Sequence, residues 1–380
     1  MPTICHLASG HYPDDDRIFY KEARSLVRGG YEVIVIAPRR EGIPAERDGV
    51  RFDLVPENRG YLGRLCNLFR IYRVARRWQP QLCHCHEPDS LLVGALLKWR
   101  QGSKLVFDSH ELWPGVVAQR LPRLLARPAA WLYERIEQAL LRRCDAAIGA
   151  TPAITARLAG TVGEGRARTL LNVPAVEVFA PSAGAPPEDV FVVCHDGALT
   201  FDRGLKVMAE ATRLLAEKHK VVFRIVGDVF GPERDWLEAF VRAHRLEAVI
   251  QRTGWLPYEQ VGDALARCHL GLVAFTRKPN HVIAAPNKIF NYLLYGLPFI
   301  GPDFMVEVQR MAREDGCCQP ANCDSPSDLA RAIEAVRLDR KQYQRLAENA
   351  RQASARKYRW QFMEPELLDL YRQVLAAPAG

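Results

Sequence analysis

Tyr31-Glu32-Val33-Ile34-Val35-Ile36-Ala37, with four β-branched residues in a row from Val33 to Ile36, lies between Gly29-Gly30 and Pro38. It is apolar on both of its alternating faces, as expected of a strand buried in a parallel sheet. Before it, Asp16 to Arg28 reads as a helix with the glycine pair as its C-cap. Before that, Met1 to Ala8 reads as another strand. A strand, a helix and a strand in so few residues predict a βαβ unit. The same alternation continues outward, with strands at Gln81 to His86, Lys104 to Phe107 and Ala146 to Ala150, and a helix at Ser90 to Trp99. It breaks at Ala180 to Asp189 (APSAGAPPED), a linker signal. It then restarts with strands at Val190 to His195, Val221 to Val226 and Leu270 to Ala274. Helices are predicted at Gly204 to Glu217, Asp235 to Arg245 and Asn287 to Tyr295. The expected class is α/β: two parallel-sheet domains in tandem, residues 1–180 and 181–359, with a ligand cleft between them.

Composition narrows the chemistry. The chain has 380 residues, 48% hydrophobic and 25% charged, which excludes disorder and fibre. Its longest apolar stretches, such as Leu91 to Leu97, are far below the ~20 residues of a membrane span. The N-terminus lacks the basic and apolar regions of a signal peptide. Ten cysteines without a CxxC suggest reduced thiols and a cytoplasmic setting. Residues 1–180 hold 26 Lys and Arg against 19 Asp and Glu, and the remainder 26 against 25. A basic first half suits an anionic partner. No nucleic-acid recognition module is present, so nucleic acid is not the expected one.

Polar clusters follow the strands. His11, Asp16 and Arg17 follow the first; on their own they read first as an acidic helix cap and only second as a ligand site. Cys83-His84-Cys85-His86-Glu87 looks like a metal site, but alternation on a strand puts the cysteines on one face and His84 and His86 on the other. No second ligand pair lies at zinc spacing, so no metal is expected. His86 and Glu87 instead end their strand at the cleft. Asp108, His110 and Glu111 have the same layout after Phe107, and a structural histidine reads equally well there. In the second half, Gly197 and Ala198 end a strand, Arg203 precedes a helix, Gly227 closes a strand, and Pro286-Asn287-Lys288 opens a helix. Two cations at two helix N-termini suggest a diphosphate; a solvated lysine is the alternative.

These residues together resemble a family. The order His11-x4-Asp16-Arg17-Ile18-Phe19-x-Lys21-Glu22, His84-x-His86, Phe107-Asp108-x-His110-Glu111 and Asn172-x-Pro174 with Phe179 is similar to the first half of bacterial family-four glycosyltransferases. Gly197-x-Leu199-x3-Arg203-Gly204, Ile225-Val226-Gly227 and Pro286-x-Lys288-x-Phe290-x-Tyr292-x3-Gly296-x-Pro298 match the second half. The resemblance implies a GT-B fold, two Rossmann-like domains facing a central cleft, with a last helix (360–380) that crosses back to the first. It implies a retaining, metal-independent enzyme without cofactor. A nucleotide-sugar donor would be held by Gly197, Ala198, Arg203, Gly227, Pro286, Asn287, Lys288 and Asn291. The catalytic set would be His110, Arg203 and Lys288. The acceptor, a glycan or a lipid-linked chain as in polysaccharide biosynthesis, would meet His11, Asp16, Arg17, His86, Asp108 and Glu111. The family's E-x7-E pair is missing: Asn291 stands at its second position and Ile283 eight residues earlier. A non-transferring GT-B enzyme such as a nucleotide-sugar 2-epimerase, and a non-catalytic sugar-nucleotide or glycan-binding subunit, are the alternative readings.

Two stretches bear on location. Gly60 to Gln79 carries Arg64, Arg70, Arg73, Arg76 and Arg77 and no acid, interleaved with Leu62, Leu65, Phe69, Tyr72 and Trp78. Arg120 to Arg143 mixes Arg120, Arg123 and Arg127 with Leu121, Leu124, Leu125 and Trp131. Basic helices with Trp, Phe and Leu can lie in an anionic membrane surface, here the inner face. Alternatively, the apolar residues pack onto the sheet and the arginines are simply solvated.

Overall fold

The computed structural model describes residues 1–58, 60–114, 122–178 and 184–378. The chain divides into two compact units, Met1–Leu171 with Gln361–Gly380, and Asn172–Trp360. The sequence placed the first change at 180 and 181. Phe179, and residues 180–183 of the expected linker, lie outside the described residues. The backbone N–H of Trp360 donates to the carbonyl of Pro174 at 2.9 Å, tying the two ends of the second unit together.

In the first unit the strands are β1 (Thr3–Leu7), β2 (Glu32–Ile36), β3 (Glu46–Arg47), β4 (Val50–Phe52), β5 (Leu82–Cys85), β6 (Lys104–Ser109), β7 (Ala146–Gly149) and β8 (Ala167–Thr169). Their order is β3-β4-β2-β1-β5-β6-β7-β8. All pair in parallel except β3, which forms a hairpin with β4. Its turn, Asp48-Gly49, has both φ angles positive, at 52° and 77°, as a two-residue hairpin needs. Helix α1 opens as a π-helix, Asp16–Ala23, and ends as Arg24–Arg28. Then come α2 (Gly60–Trp78), α3 (Pro88–Gln101), α4 (Arg123–Leu141) and α5 (Pro152–Val162). Right-handed crossovers place α2 to α5 on one face of the sheet, each packed on the next, and α1 on the other.

The second unit holds β9 (Phe191–Asp196), β10 (Val221–Val226), β11 (Ile250–Arg252), β12 (Leu270–Leu272), β13 (Phe299–Pro302) and β14 (Cys318–Ala321). Their order is β11-β10-β9-β12-β13-β14, all parallel. Helices α6 (Leu205–Ala216), α7 (Gly231–His244), α8 (Tyr258–Ala266), α9 (Asn287–Leu294), α10 (Val306–Glu314), α11 (Pro326–Leu338) and α12 (Arg340–Arg356) accompany them. Phe223, Ile225, Leu270 and Leu272 pack with Met208 and Ile333 in its core.

The last helix, α13 (Trp360–Ala376), belongs almost wholly to the first unit. Leu368 lies against Gly29, Arg28 pairs with Glu364 at 2.7 Å, and the Tyr371 hydroxyl meets Nδ1 of His84 at 2.5 Å. Strand order reverses between β1 and β5 in one unit and between β9 and β12 in the other. At such points the loops beyond the strands diverge and leave room for a ligand.

Candidate functional site

In the first unit the polar residues gather beyond β1, β5 and β6. On β5 the side chains alternate as expected. Cys83 and Cys85 face α3, where Gly94 leaves room for the Cys85 sulfur and Leu105. His84 and His86 face the other way and stack with His6, ring centroids 4.5 to 5.2 Å apart. All three imidazoles are fully buried, and burial holds each below its ordinary pKa, hence neutral.

The π-helical start of α1 follows from two pairs spaced five residues apart. Lys21 Nζ binds Asp16 at 2.5 Å, and Arg17 Nε lies 2.9 Å from Glu22 Oε1. A π turn brings residues i and i+5 over one another. Arg17 also makes a two-pronged contact with Asp108, at 2.6 and 3.0 Å, and donates to the Leu170 carbonyl at 2.7 Å. Burial would push the Asp108 carboxyl up, but the Arg17 guanidinium overcomes it and holds Asp108 well below the usual range. Glu22 goes the other way. Burial and the Asp108 charge both raise it, so of the two carboxyls Glu22 keeps a proton more readily.

Above this buried layer stand two imidazoles, His11 and His110, 4.9 Å apart. Each is backed by a carboxylate. His110 Nε2 lies 3.1 Å from Asp108 Oδ2, and His11 Nδ1 lies 2.8 Å from Glu87 Oε1. Glu87 also accepts the backbone N–H groups of Ser9, Gly10 and His11 at 2.7 to 2.9 Å. Burial pulls His11 down, but Glu87 overcomes it and holds the imidazole up at about 9. Arg17, His86 and Asp108, expected to meet an acceptor, are buried and support the surface pair from beneath. Asp16 is held by Lys21, and Glu111 is exposed just past β6. Ligand atoms of His6, Glu22, His84 and His86 lie within 4.8 Å of one another, as do those of His86, Asp108 and His110. In the first group, however, His6 Nδ1 is hydrogen-bonded to His86 Nε2 at 2.9 Å. The cation beside both carboxylates is Arg17.

In the second unit the expected donor residues come together beyond β9. Gly197 follows β9 with φ +87°, and a Cβ there would stand 3.8 Å from Lys288 Nζ. Gly227, after β10, has φ +142°, and a Cβ on it would strike the Gly197 carbonyl at 2.6 Å, so the two turns need glycine to touch. Ala198 accepts a hydrogen bond from Arg203 Nη1 at 2.9 Å through its carbonyl. Helix α9 starts after Pro286, with Asn287 and Lys288 in its first turn. Lys288 is buried, forms no ion pair among the described residues, and lies 5.7 Å from the Phe275 ring centre. Burial, with Arg203 close by, lowers its pKa to about 8. Asn291 donates to Asp196 Oδ2 at 2.8 Å, and the Tyr292 hydroxyl accepts from the Asp196 N–H at 3.0 Å.

Sequence reasoning put Glu87 at a strand end by the cleft without giving it a role, and left Glu22 and Asp196 out of the site. Glu22 carried one usable signal, its five-residue spacing from Arg17. Asp196 carried another, since it ends β9 directly before the glycine turn.

The model for Glycosyltransferase Family 4 matches residues 17–172, and that for Glycosyl transferases group 1 matches residues 179–353. No curated protein matches the sequence. Among solved structures, sucrose-phosphate synthase from Thermosynechococcus elongatus is 18% identical over 100% of both chains, with a TM-score of 0.82. Alr3699/HepE from Anabaena in complex with UDP is 16% identical, covering 98% of this chain and 100% of its own, at 0.76. An alpha,alpha-trehalose-phosphate synthase (UDP-forming) from Burkholderia vietnamiensis is 14% identical, covering 99% and 100%, at 0.73. The two models follow one another along nearly the whole chain, and the folds agree throughout: the protein belongs to the GT-B glycosyltransferases of the family-four type.

Proposed function

We propose that the protein transfers a sugar from a nucleotide-diphosphate donor to an acceptor hydroxyl on a glycan or lipid-linked chain, with retention at the anomeric carbon. The observation that carries the donor reading is the meeting of Lys288 and Arg203 at the Gly197 turn, beside the first turn of α9. A buried ammonium that feels a second cation more strongly than the Asp196 carboxylate gains from an arriving anion. A diphosphate supplies that anion, and helix N–H groups add to its binding. UDP in the Anabaena relative supports a nucleotide of this class.

The same groups then serve the reaction. Negative charge grows on the β-phosphate as the bond to the sugar breaks, and fixed cations and N–H groups aimed at it stabilise that change. For a retaining transfer, the acceptor hydroxyl attacks from the face the phosphate leaves, and a departing phosphate oxygen takes its proton. In this reading His110 and His11 orient the acceptor and the donor sugar, with Asp108 and Glu87 fixing their rings. Asp196 and Asn291 together offer a carboxylate and an amide to donor hydroxyls where the family usually has a glutamate. Arg17 supplies the buried positive charge, and the reaction needs no metal or other cofactor. The enzyme works in the cytoplasm or on the inner face of the membrane.

A thermal-shift screen of UDP-, GDP-, ADP- and dTDP-sugars tests donor binding, since a ligand of the native state raises its melting point. Product stereochemistry tests retention, and an inverted linkage rejects it. Turnover of the nucleotide sugar without any acceptor favours an epimerase instead.

A further inference from the structure

We infer that the face of the first unit formed by α2, α3 and α4 docks on an anionic lipid bilayer. The inference goes beyond the transfer reaction and stands without it. Fifteen large apolar side chains are exposed among the described residues, and nine of them lie on these three helices. Isolated exposed apolar residues are ordinary, whereas a contiguous group marks an interaction surface.

Each helix shows the same split. On α2, Asn67, Ile71, Val74 and Ala75 turn inward to the sheet. Leu62, Leu65 and Phe69 point outward, 63 to 79% exposed, and Arg70, Arg73, Arg76 and Arg77 are exposed after them. On α3, Leu91 and Leu97 are buried and Trp99 stands out at 74%. On α4, Leu140 and Leu141 are buried and Trp131 is 60% exposed. The apolar residues of α2 therefore do not all pack onto the sheet. Instead, two faces are apolar, one turned to the core and one to solvent.

The exposed stripes share a second feature. An arginine lies over an exposed aromatic ring on every one of the three helices: Arg73 over Phe69, Arg100 over Trp99 and Arg135 over Trp131, at 4.7 to 5.9 Å from the ring centres. Such a pair presents a cation at phosphate height and a ring beneath it, the arrangement that suits a headgroup layer over acyl chains. Helix α2 contains no acidic residue. Of its five arginines, Arg64 is engaged by Asp89 at 2.7 Å, which leaves four for lipid. On the second stretch singled out in the sequence, Arg120 and Leu121 lie outside the described residues, as do the side chains of Arg123, Leu124 and Leu125. The surface stands without them, and α3 joins it. No helix among the described residues is long and apolar enough to cross a membrane, so the contact is interfacial. Charge decides the occupant: arginines paired with aromatic rings across three neighbouring helices match a bilayer of anionic lipid.

Vesicle sedimentation tests this with the full chain and needs neither donor nor acceptor, so an inactive protein that binds vesicles leaves the inference standing. The protein should pellet with phosphatidylglycerol-containing vesicles at low salt, and should not pellet with phosphatidylcholine alone. Binding should fade as salt is added. Replacing Arg73, Arg76 and Arg77 by Gln should cut partitioning by roughly a hundred-fold. Leu65→Ser with Phe69→Ser and Trp131→Ser should cut it similarly, with unchanged melting temperatures showing intact folds. No pelleting at low salt overturns the inference, as does binding that neither set of changes weakens. A dimer that only the apolar changes dissociate, without vesicle binding, also overturns it and assigns the face to a second copy of the chain.

Discussion

The two switch points handle positive charge in opposite ways. Among the described residues of the first unit, the buried cations have carboxylates, Arg17 with Asp108, Lys21 with Asp16 and Lys104 with Asp145, and the half-buried His11 has Glu87. In the second, Lys288 is buried, forms no ion pair among the described residues, and feels the Arg203 charge more strongly than that of Asp196. Buried charge that is paired internally stabilises geometry, whereas charge left in surplus stabilises whatever anion arrives. In the proposed function the first arrangement serves as a rigid acceptor surface and the second as a phosphate seat.

The comparison breaks most readily at Arg17. Arg17→Met removes the guanidinium and leaves Asp108 and Glu22 buried side by side. Unfolding by denaturant should show a loss of about 3–5 kcal/mol. A loss under about 1 kcal/mol would mean that the charges of the first unit are not mutually dependent.

Next in size is the loss of the surplus. Lys288→Ala and Arg203→Ala should each lower kcat/KM by on the order of a hundred-fold while leaving the fold intact. Unchanged kinetics in both would remove the diphosphate from this site. The two cations also set a pH limit. With Lys288 near 8, donor capture should decline as pH rises through about 8, because the ammonium loses its proton there. Lys288→Arg, which cannot titrate in that range, should flatten the alkaline limb of the profile.

A smaller effect separates the units by pH. His11 titrates near 9 when folded, against about 6.5 unfolded. A raised folded pKa gives stability that is complete below about 6.5 and is lost as pH rises through about 9. With the imidazole partly exposed, roughly 1–2 kcal/mol is expected from the His11–Glu87 pair. Stability curves of the wild type and His11→Gln should converge across that window; parallel curves would reject the pairing. The smallest expected effect is that of EDTA, which should leave turnover unchanged, and a strict metal requirement would redirect attention to His6, Glu22, His84 and His86.

Much of this was legible in residue order. The strand at Tyr31 to Ala37 declared itself because buried parallel strands need apolar residues on both faces. The proposed donor turn was legible because glycines, a proline and two cations stood at strand and helix ends. What stayed hidden depends on distance along the chain. Nothing near His84 announces Tyr371, 287 residues away. The π-helical opening of α1 was hidden for another reason. Asp16 to Arg28 has ordinary helical composition, and only the burial of Arg17 and Lys21 shows which spacing prevails. Asn291 looked like a departure from its family, and its hydrogen bond to Asp196 shows a carboxylate beside that position after all.

The placement of α13 has a consequence for synthesis. The second unit, residues 172–360, is contiguous and leaves the ribosome as one piece, able to collapse as soon as its last strand and helices emerge. The first unit begins earlier and finishes later. Its sheet emerges first, yet His84 gains Tyr371 and Gly29 gains Leu368 only after the whole intervening unit has been translated. During that interval the side of the sheet carrying the histidine stack has α1 but not α13 over it, and the unit that begins first is the last to be sealed.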